Sequence, residues 1–260
     1  MPLRIAFDMD GVLADMEGEL VRQAEMLFGR PMPRRPPDRE VTSSPSATPS
    51  GSGQGETPPE STSPAQAAAE TSPDNVPPLL RMNMSARQQR KLWRHIESIE
   101  NFWQTLSETE PGIVARLASI ADERHWEVIF LTKRPETAGV TAQLQSQRWL
   151  ESKGFTLPSV YVVRGSRGRI AAALGLDVVV DDRPENCLDV VVDSRARAIL
   201  VWRDDEQLLP GAARRLGIGV VKTLGECLDI LVKVDSKEQE STGVVDRVKR
   251  LLGLKETARA

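Results

Sequence analysis

An α/β fold, with a parallel sheet carrying helices on both faces, is predicted by three observations. Short apolar runs rich in β-branched residues recur at Ile5 to Phe7, Val128 to Leu131, Val160 to Val163, Val178 to Val180 and Ile199 to Trp202. Segments with helical spacing lie between them, the alternation expected of βαβ units with right-handed crossovers. Each run ends in polar or charged residues, and in open parallel sheets ligands bind beyond the carboxyl ends of the strands.

Taken in order, the first strand stops at Asp8, and a helix is expected from Glu17 to Phe28. Residues 31 to 80 hold twelve of the eighteen prolines and no aromatic residue. Such a segment buries too little apolar surface to offset its ordering entropy, and it is read as a disordered insertion. Leu92, Trp93, Ile96, Ile99, Phe102 and Trp103 then mark a helical lobe in the stretch Ala86 to Glu108. With more than a hundred residues between the first two strands, this predicts a small helical cap, residues 16–30 and 81–109, inserted into a core of residues 1–15 and 110–232.

Pro111 and Gly112 open a helix through Ile113, Leu117 and Ile120. Thr137 to Lys153 has helical spacing and stops at Gly154, while Arg167 to Leu174 forms a short helix between Ser166 as N-cap and Gly175 as its stop. Val190 to Val192 is assigned to a helix packed on the sheet, against the strand preference of three β-branched residues. Residues 233–260 read as a charged linker, Lys233 to Thr242, and an amphipathic helix with Val244, Val248, Leu251 and Leu252 on one side. That helix is expected to dock on its own domain, a partner protein being the alternative occupant.

The formal charge of −3 and a pI near 5.6 argue against long nucleic acid or an anionic membrane as partner. No stretch approaches the ~20 apolar residues of a membrane helix, and no signal-peptide pattern opens the chain, so a cytoplasmic protein is expected. Cys187 and Cys227 have no metal or redox spacing, and His95 and His125 have no ligand spacing; structural roles are expected for all four.

The chemistry is concentrated at strand ends. Two acids at i and i+2, Asp8 and Asp10, lean to the same side of an extended backbone with Cα atoms roughly 6 to 7 Å apart. Like charges that close are reconciled by a hard cation such as Mg²⁺, which takes one or two carboxylates and completes its shell with water, backbone oxygen or phosphate. Thr132 follows the second strand, Arg167 and Arg169 follow the third, and Asp181-Asp182 end the fourth. Together they supply what phosphoryl transfer from a monoester requires. Asp8 would attack phosphorus. Asp10 would protonate the leaving oxygen and then activate water. Thr132 and Arg169, with Arg167 beside it, would meet the phosphoryl charge, and Asp181 and Asp182 would complete the metal site.

The run Asp8-Met9-Asp10-Gly11-Val12-Leu13-Ala14-Asp15, with Thr132 and Asp181-Asp182, resembles the haloacid dehalogenase superfamily of Mg²⁺-dependent phosphohydrolases. Within it, Phe7 to Asp15 with Glu17-Gly18, Asn101-Phe102-Trp103 leading to Pro111-Gly112, and Asp181-Asp182-Arg183-Pro184 are similar to the 5'(3')-deoxyribonucleotidase family. The resemblance spans Leu3 to about Leu231 and implies a Rossmann-like core with a small helical cap after the first strand. It implies nucleoside monophosphates as substrates, with Phe102 and Trp103, and more weakly Trp93, packing on the base.

By the same resemblance Asp8 is the nucleophile, Asp10 the acid/base and a backbone ligand of the metal, Thr132 the phosphate-binding threonine and Asp181-Asp182 the acidic metal motif, so that Asp8, Asp10, Asp181 and Asp182 surround Mg²⁺. The sequence departs from the family in three places. The family lysine before the acidic pair is replaced by Arg169 or Arg167, a planar guanidinium for an ammonium. Lys133-Arg134-Pro135 follows Thr132 where the family has a small residue, placing Lys133 among the substrate contacts. The proline-rich segment lies inside the cap. Two other readings stand beside the nucleotidase: a broad phosphatase for sugar or other metabolite phosphates, and a catalytically inactive phosphate-binding scaffold using the 31–80 segment or the C-terminal helix for partners.

Overall fold

A computed structural model of the chain describes residues 2–29 and 84–236. The expectations for 31–80 and for Val244 to Leu252 lie outside the described residues. Six parallel strands, β1 (Arg4–Asp8), β2 (Glu127–Thr132), β3 (Ser159–Val162), β4 (Val178–Asp181), β5 (Arg197–Val201) and β6 (Gly219–Val221), form one sheet in the order β3-β2-β1-β4-β5-β6. The five predicted strands are present. β6 was not predicted: it is three residues long and begins at a glycine, too short a run to read as a strand.

The order places β1 at the centre, where Ile5, Ala6 and Phe7 are fully buried. Phe7 pairs with Phe130 of β2 on one side and Val180 of β4 on the other. Because parallel registry aligns strand ends, Asp8, Thr132 and Asp181 finish side by side. Chain reversal to either side of β1 opens a crevice at this point, the usual ligand position of doubly wound sheets.

The helices among the described residues are α1 (Met16–Phe28), α2 (Ala86–Ser98), α3 (Ile113–Arg124), α4 (Ala142–Ser152), α5 (Arg167–Leu174), α6 (Pro184–Asp193) and α7 (Gly211–Arg215), with a further helix, α8, at residues 224–236. Asp15 caps α1 by accepting from Gly18 N–H, and Gly29 ends it in the left-handed region. A reciprocal capping box, Ser85 with Gln88, opens α2. α5 has the predicted Ser166 cap and Gly175 stop. Val190 to Val192 are helical within α6, where Val190 is fully buried against the sheet.

Three boundaries differ from expectation. α2 stops at Ser98, because Ile99 is extended and Asn101 is left-handed, and a 3₁₀ turn follows at Phe102–Gln104. α4 starts at Ala142 instead of Thr137, since Ala138 N–H bonds to Glu97 O and Val140 N–H to the Asn101 side chain, and Thr141 is the cap. α8 runs to residue 236, past the expected linker start at Lys233, and is held there by a hydrogen bond from Arg124 to Ser236 Oγ.

The excursion that separates β1 from β2 leaves and returns at one place. Ala14 and Glu108 form an antiparallel bridge, Asp15 N–H donates to Ser107 O and Thr109 N–H to Leu13 O. α1, α2 and the 3₁₀ turn belong to the same compact unit as the sheet.

α5 and α6 approach closely at Gly168, where a Cβ would collide with the Asp189 carbonyl. That approach seats the first turn of α5, and Arg167 with it, at the end of β1. Gly168→Ala is expected to destabilise the protein by about 2 kcal/mol, the cost of overpacking a well-filled contact. Urea denaturation checks this, and an unchanged midpoint would show that the two helices can move apart freely.

Candidate active site

The chain after β1 turns sharply, with Leu13 and Ala14 N–H both bonding back to Met9 O and Gly11 N–H to Ala14 O. Gly11 sits at φ +82°, and a side chain there would run into the Asp182 carboxylate. Glycine is required on both counts. The turn aims Asp8 out of the strand end. Its carboxylate accepts the Asp10 backbone N–H at 3.0 Å and a charge-assisted bond from the Arg167 guanidinium.

Asp10 is held separately. Thr132 Oγ donates to its Oδ2 at 2.9 Å, Arg134 Nε lies 3.0 Å from both oxygens, and the terminal Arg134 Nη2 donates to Oδ1 at 2.7 Å. The two neighbouring acids are therefore met by two different guanidinium groups. Alternation explains why Arg134 and not Lys133 arrives here: residues 132 and 134 share one side of an extended chain, and Lys133 points the other way into solvent.

Asp181 is fully buried at the end of β4. It accepts from Arg183 N–H at 2.9 Å and from Asn186 Nδ2 at 3.0 Å to each oxygen, and Arg167 Nε lies 3.6 Å away. Burial raises the pKa of Asp8 well above the ordinary carboxylate range, and the Asp181 charge adds to the rise while Arg167 opposes it. Burial likewise raises Asp181 against the pull of Arg167 and Asn186. Asp182 is pushed up to about 8 by burial and by the charges of Asp181 and Asp10.

A proton on Asp182 stabilises the fold fully below its unfolded value near 4, and that stability is lost as pH rises through about 8. In metal-free solution Asp182→Asn is expected to melt higher than wild type at pH 8.5, with the two curves converging towards pH 5. A gap that stays constant with pH would contradict this.

The structure brings together Asp8, Asp10, Thr132, Asp181 and Asp182, and it corrects three expectations. Arg169 is exposed, with its backbone N–H on Ser166 Oγ, and the buried Arg167 takes its place at Asp8. The two positions are about 200° apart around a helix, so only one can face the acids. Phe102 and Trp103 are wholly buried and packed edge to face at 4.9 Å between centroids. Trp103 Nε1 donates to Pro135 O at 2.9 Å and its backbone N–H to Gln145 Oε1 at 3.0 Å. Neither ring presents a face to a base, and Trp93 is buried too.

Third, Lys133 is an exposed rim residue. The Asp10 carboxylate is held by Arg134 and Thr132, so a metal contact from Asp10 would fall, as the resemblance implies, to its backbone oxygen. Arg134 was missed by sequence reasoning, although the i, i+2 rule that drew attention to Asp8 and Asp10 applies equally to Thr132 and Arg134. Cys187 and Cys227 are buried, and burial raises both thiols, Cys227 to about 12. No helix among the described residues is long and apolar enough to cross a membrane.

No protein-family model matches the chain, and no curated protein matches it. Solved structures do. A HAD family hydrolase from Deinococcus radiodurans R1, with bound phosphate and sodium, is similar at 15% identity and a TM-score of 0.47, over 90% of this chain and 97% of that one. A protein of Thermotoga maritima named as a candidate β-phosphoglucomutase matches at 16% identity and 0.46, over 89% and 99%. A hydrolase from Pseudomonas syringae matches at 15% and 0.46, over the same shares. Likeness at this level does not carry a reaction across, and the functional reading rests on the strand-end residues.

The strand-end acids are also suited to Mg²⁺. Among the described residues no group of three or more His, Cys, Asp or Glu side chains is gathered at ligating distances. Mg²⁺ asks for only one or two carboxylates, the rest of its shell being water, backbone or phosphate. The Asp181 charge raises both the Asp8 and the Asp182 carboxyls, and Asp182 adds to the rise at Asp8, while Gly11, having no Cβ, lets the Asp182 carboxylate come up against the turn after β1. An all-oxygen, over-acidic donor set of this kind fits a hard cation.

Proposed function

We propose that the chain is a Mg²⁺-dependent phosphatase of haloacid dehalogenase type, hydrolysing a small phosphate monoester through an aspartyl-phosphate at Asp8. The observation that carries this reading is the pair of separately held acids. Asp8 is oriented by Arg167 and a backbone N–H, and Asp10, two residues on, is oriented by Arg134 and Thr132. A nucleophile and an acid/base need different surroundings, and this loop provides two.

Asp8 and Asp182 side chains and the Asp10 carbonyl would hold the cation, with Asp181 orienting the acidic turn through Arg183 N–H and Asn186. The cation would offset the negative charge gathered on the acids and the phosphoryl oxygens. Arg167 meets charge on Asp8, and its Nη1 is buried without a protein partner, a donor suited to a phosphoryl oxygen. Asp10 gives its proton to the leaving oxygen and later takes one from the attacking water.

The burial of Phe102 and Trp103 favours the broad reading, a sugar or other small metabolite phosphate, over a nucleoside monophosphate, whose base would lack an aromatic platform. An inactive scaffold is disfavoured because phosphate binding alone does not require a second, precisely held carboxylate. The test is phosphate release from a panel of sugar phosphates, glycerol phosphate and nucleoside monophosphates, with Mg²⁺ or with chelator. Metal-dependent release led by sugar or glycerol phosphates supports the proposal. Release confined to nucleotides would restore the nucleotidase reading, and a preparation inert on every ester would favour the scaffold.

A further inference from the structure

We infer that Arg134 is a positioning residue that aims the Asp10 carboxylate for proton transfer to the leaving oxygen, an inference that rests on the phosphatase reading. The Arg134 side chain is fully buried. It spends three contacts on Asp10, and Nη1 donates to Ser146 Oγ at 2.8 Å. Ser146, fully buried on α4, in turn donates to Ala142 O at 2.7 Å. The guanidinium lies 5.0 Å from the Trp103 ring centroid, over a ring whose Nε1 is held by Pro135 O, while the Trp103 backbone N–H is held by Gln145 Oε1. Trp103, expected with Phe102 to hold a substrate base, instead forms the seat of this cation, and Phe102 packs against it.

Burying a guanidinium is costly, and an apolar side chain of similar volume would fill the space more cheaply. The return is geometric. A planar fork on a carboxylate fixes its rotation as an ammonium cannot, and Thr132 restrains the other oxygen. Every atom behind the fork is itself tied down, so the aim of Asp10 is set by α4 and by the 3₁₀ turn that carries Trp103.

In the first half-reaction an Asp8 oxygen attacks phosphorus, the phosphorus–ester oxygen bond breaks, and the proton on Asp10 moves to that oxygen to give the free alcohol. In the second, water attacks the aspartyl-phosphate, its proton goes to Asp10, and the bond from phosphorus to Asp8 breaks to give inorganic phosphate. A misaimed Asp10 slows the first half-reaction in proportion to the leaving group's need for a proton. Alkoxides need one, and p-nitrophenolate departs without it.

The experiment compares phosphate release from glycerol phosphate and p-nitrophenyl phosphate by wild type, Arg134→Lys and Ser146→Ala, with thermal melting to identify folded variants. Arg134→Lys is expected to lose about tenfold more activity on the alkyl ester than on the aryl ester, within the range of misplaced general acids. Ser146→Ala loosens the fork without removing charge and should shift the ratio the same way by less, which keeps the test decisive if Arg134→Lys fails to fold. Equal losses on both esters, or no loss, overturn the inference, because a merely structural role lowers both together. A wild type inert on both esters overturns the phosphatase reading and this inference with it.

Discussion

Asp8→Asn should abolish phosphate release, lowering turnover by on the order of 10⁴-fold or more, as deletion of a covalent nucleophile does in other hydrolases. The substitution preserves shape and the acceptor for Asp10 N–H, so the turn after β1 survives and the loss reports chemistry. It also removes one negative charge from a cluster in which burial and Asp181 already raise the Asp8 pKa. The variant is therefore expected to be at least as stable as wild type in metal-free buffer. Less activity with more stability distinguishes a nucleophile held against its preference from a residue that merely supports the fold. Undiminished turnover in a folded Asp8→Asn preparation would remove Asp8 from the mechanism.

The second large effect is on stability. Arg167 is 5% exposed and lies between Asp8 and Asp181, so Arg167→Met leaves two buried carboxyls without their cation. Breaking a buried ion pair by deleting one partner costs about 3 to 5 kcal/mol. The lower end is expected, because both carboxyls can take up a proton. A loss of about 3 kcal/mol lowers a urea midpoint by roughly 1.5 M for a protein of this size. Acidification should narrow the difference, since protonated carboxyls no longer miss the guanidinium. Arg169→Met, one half-turn away on the surface of α5, should change neither midpoint nor activity. Equal effects at the two positions would contradict the placement of Arg167.

The contrast between these arginines shows where sequence reasoning reaches its limit. Strand ends could be read because a run such as Val178 to Val180 stops abruptly at an acid, and parallel registry then gathers such ends at one edge. Choosing between Arg167 and Arg169 required the rotation of α5 about its axis. That rotation is set by the close approach at Gly168, a contact between helices that no local pattern encodes. Phe102 and Trp103 were visible as large apolar side chains, but whether a ring lines a pocket or a core depends on what packs over it. Here Arg134 lies over Trp103, and Phe102 packs edge to face against it. β6 escaped notice because three residues with a glycine carry too little pattern.

The hydrogen-bonded bridge between Ala14 and Glu108 has an evolutionary consequence. Asp15 and Ser107 are joined across that closure, and the cost of closing a longer loop grows only with the logarithm of its length. Lineages can therefore lengthen or shorten the chain between α1 and α2 while the closure holds, but the 3₁₀ turn whose Trp103 seats Arg134 is bound to the site. Loop length can drift while the residues that aim the proton-transferring acid are inherited together on both sides of the closure.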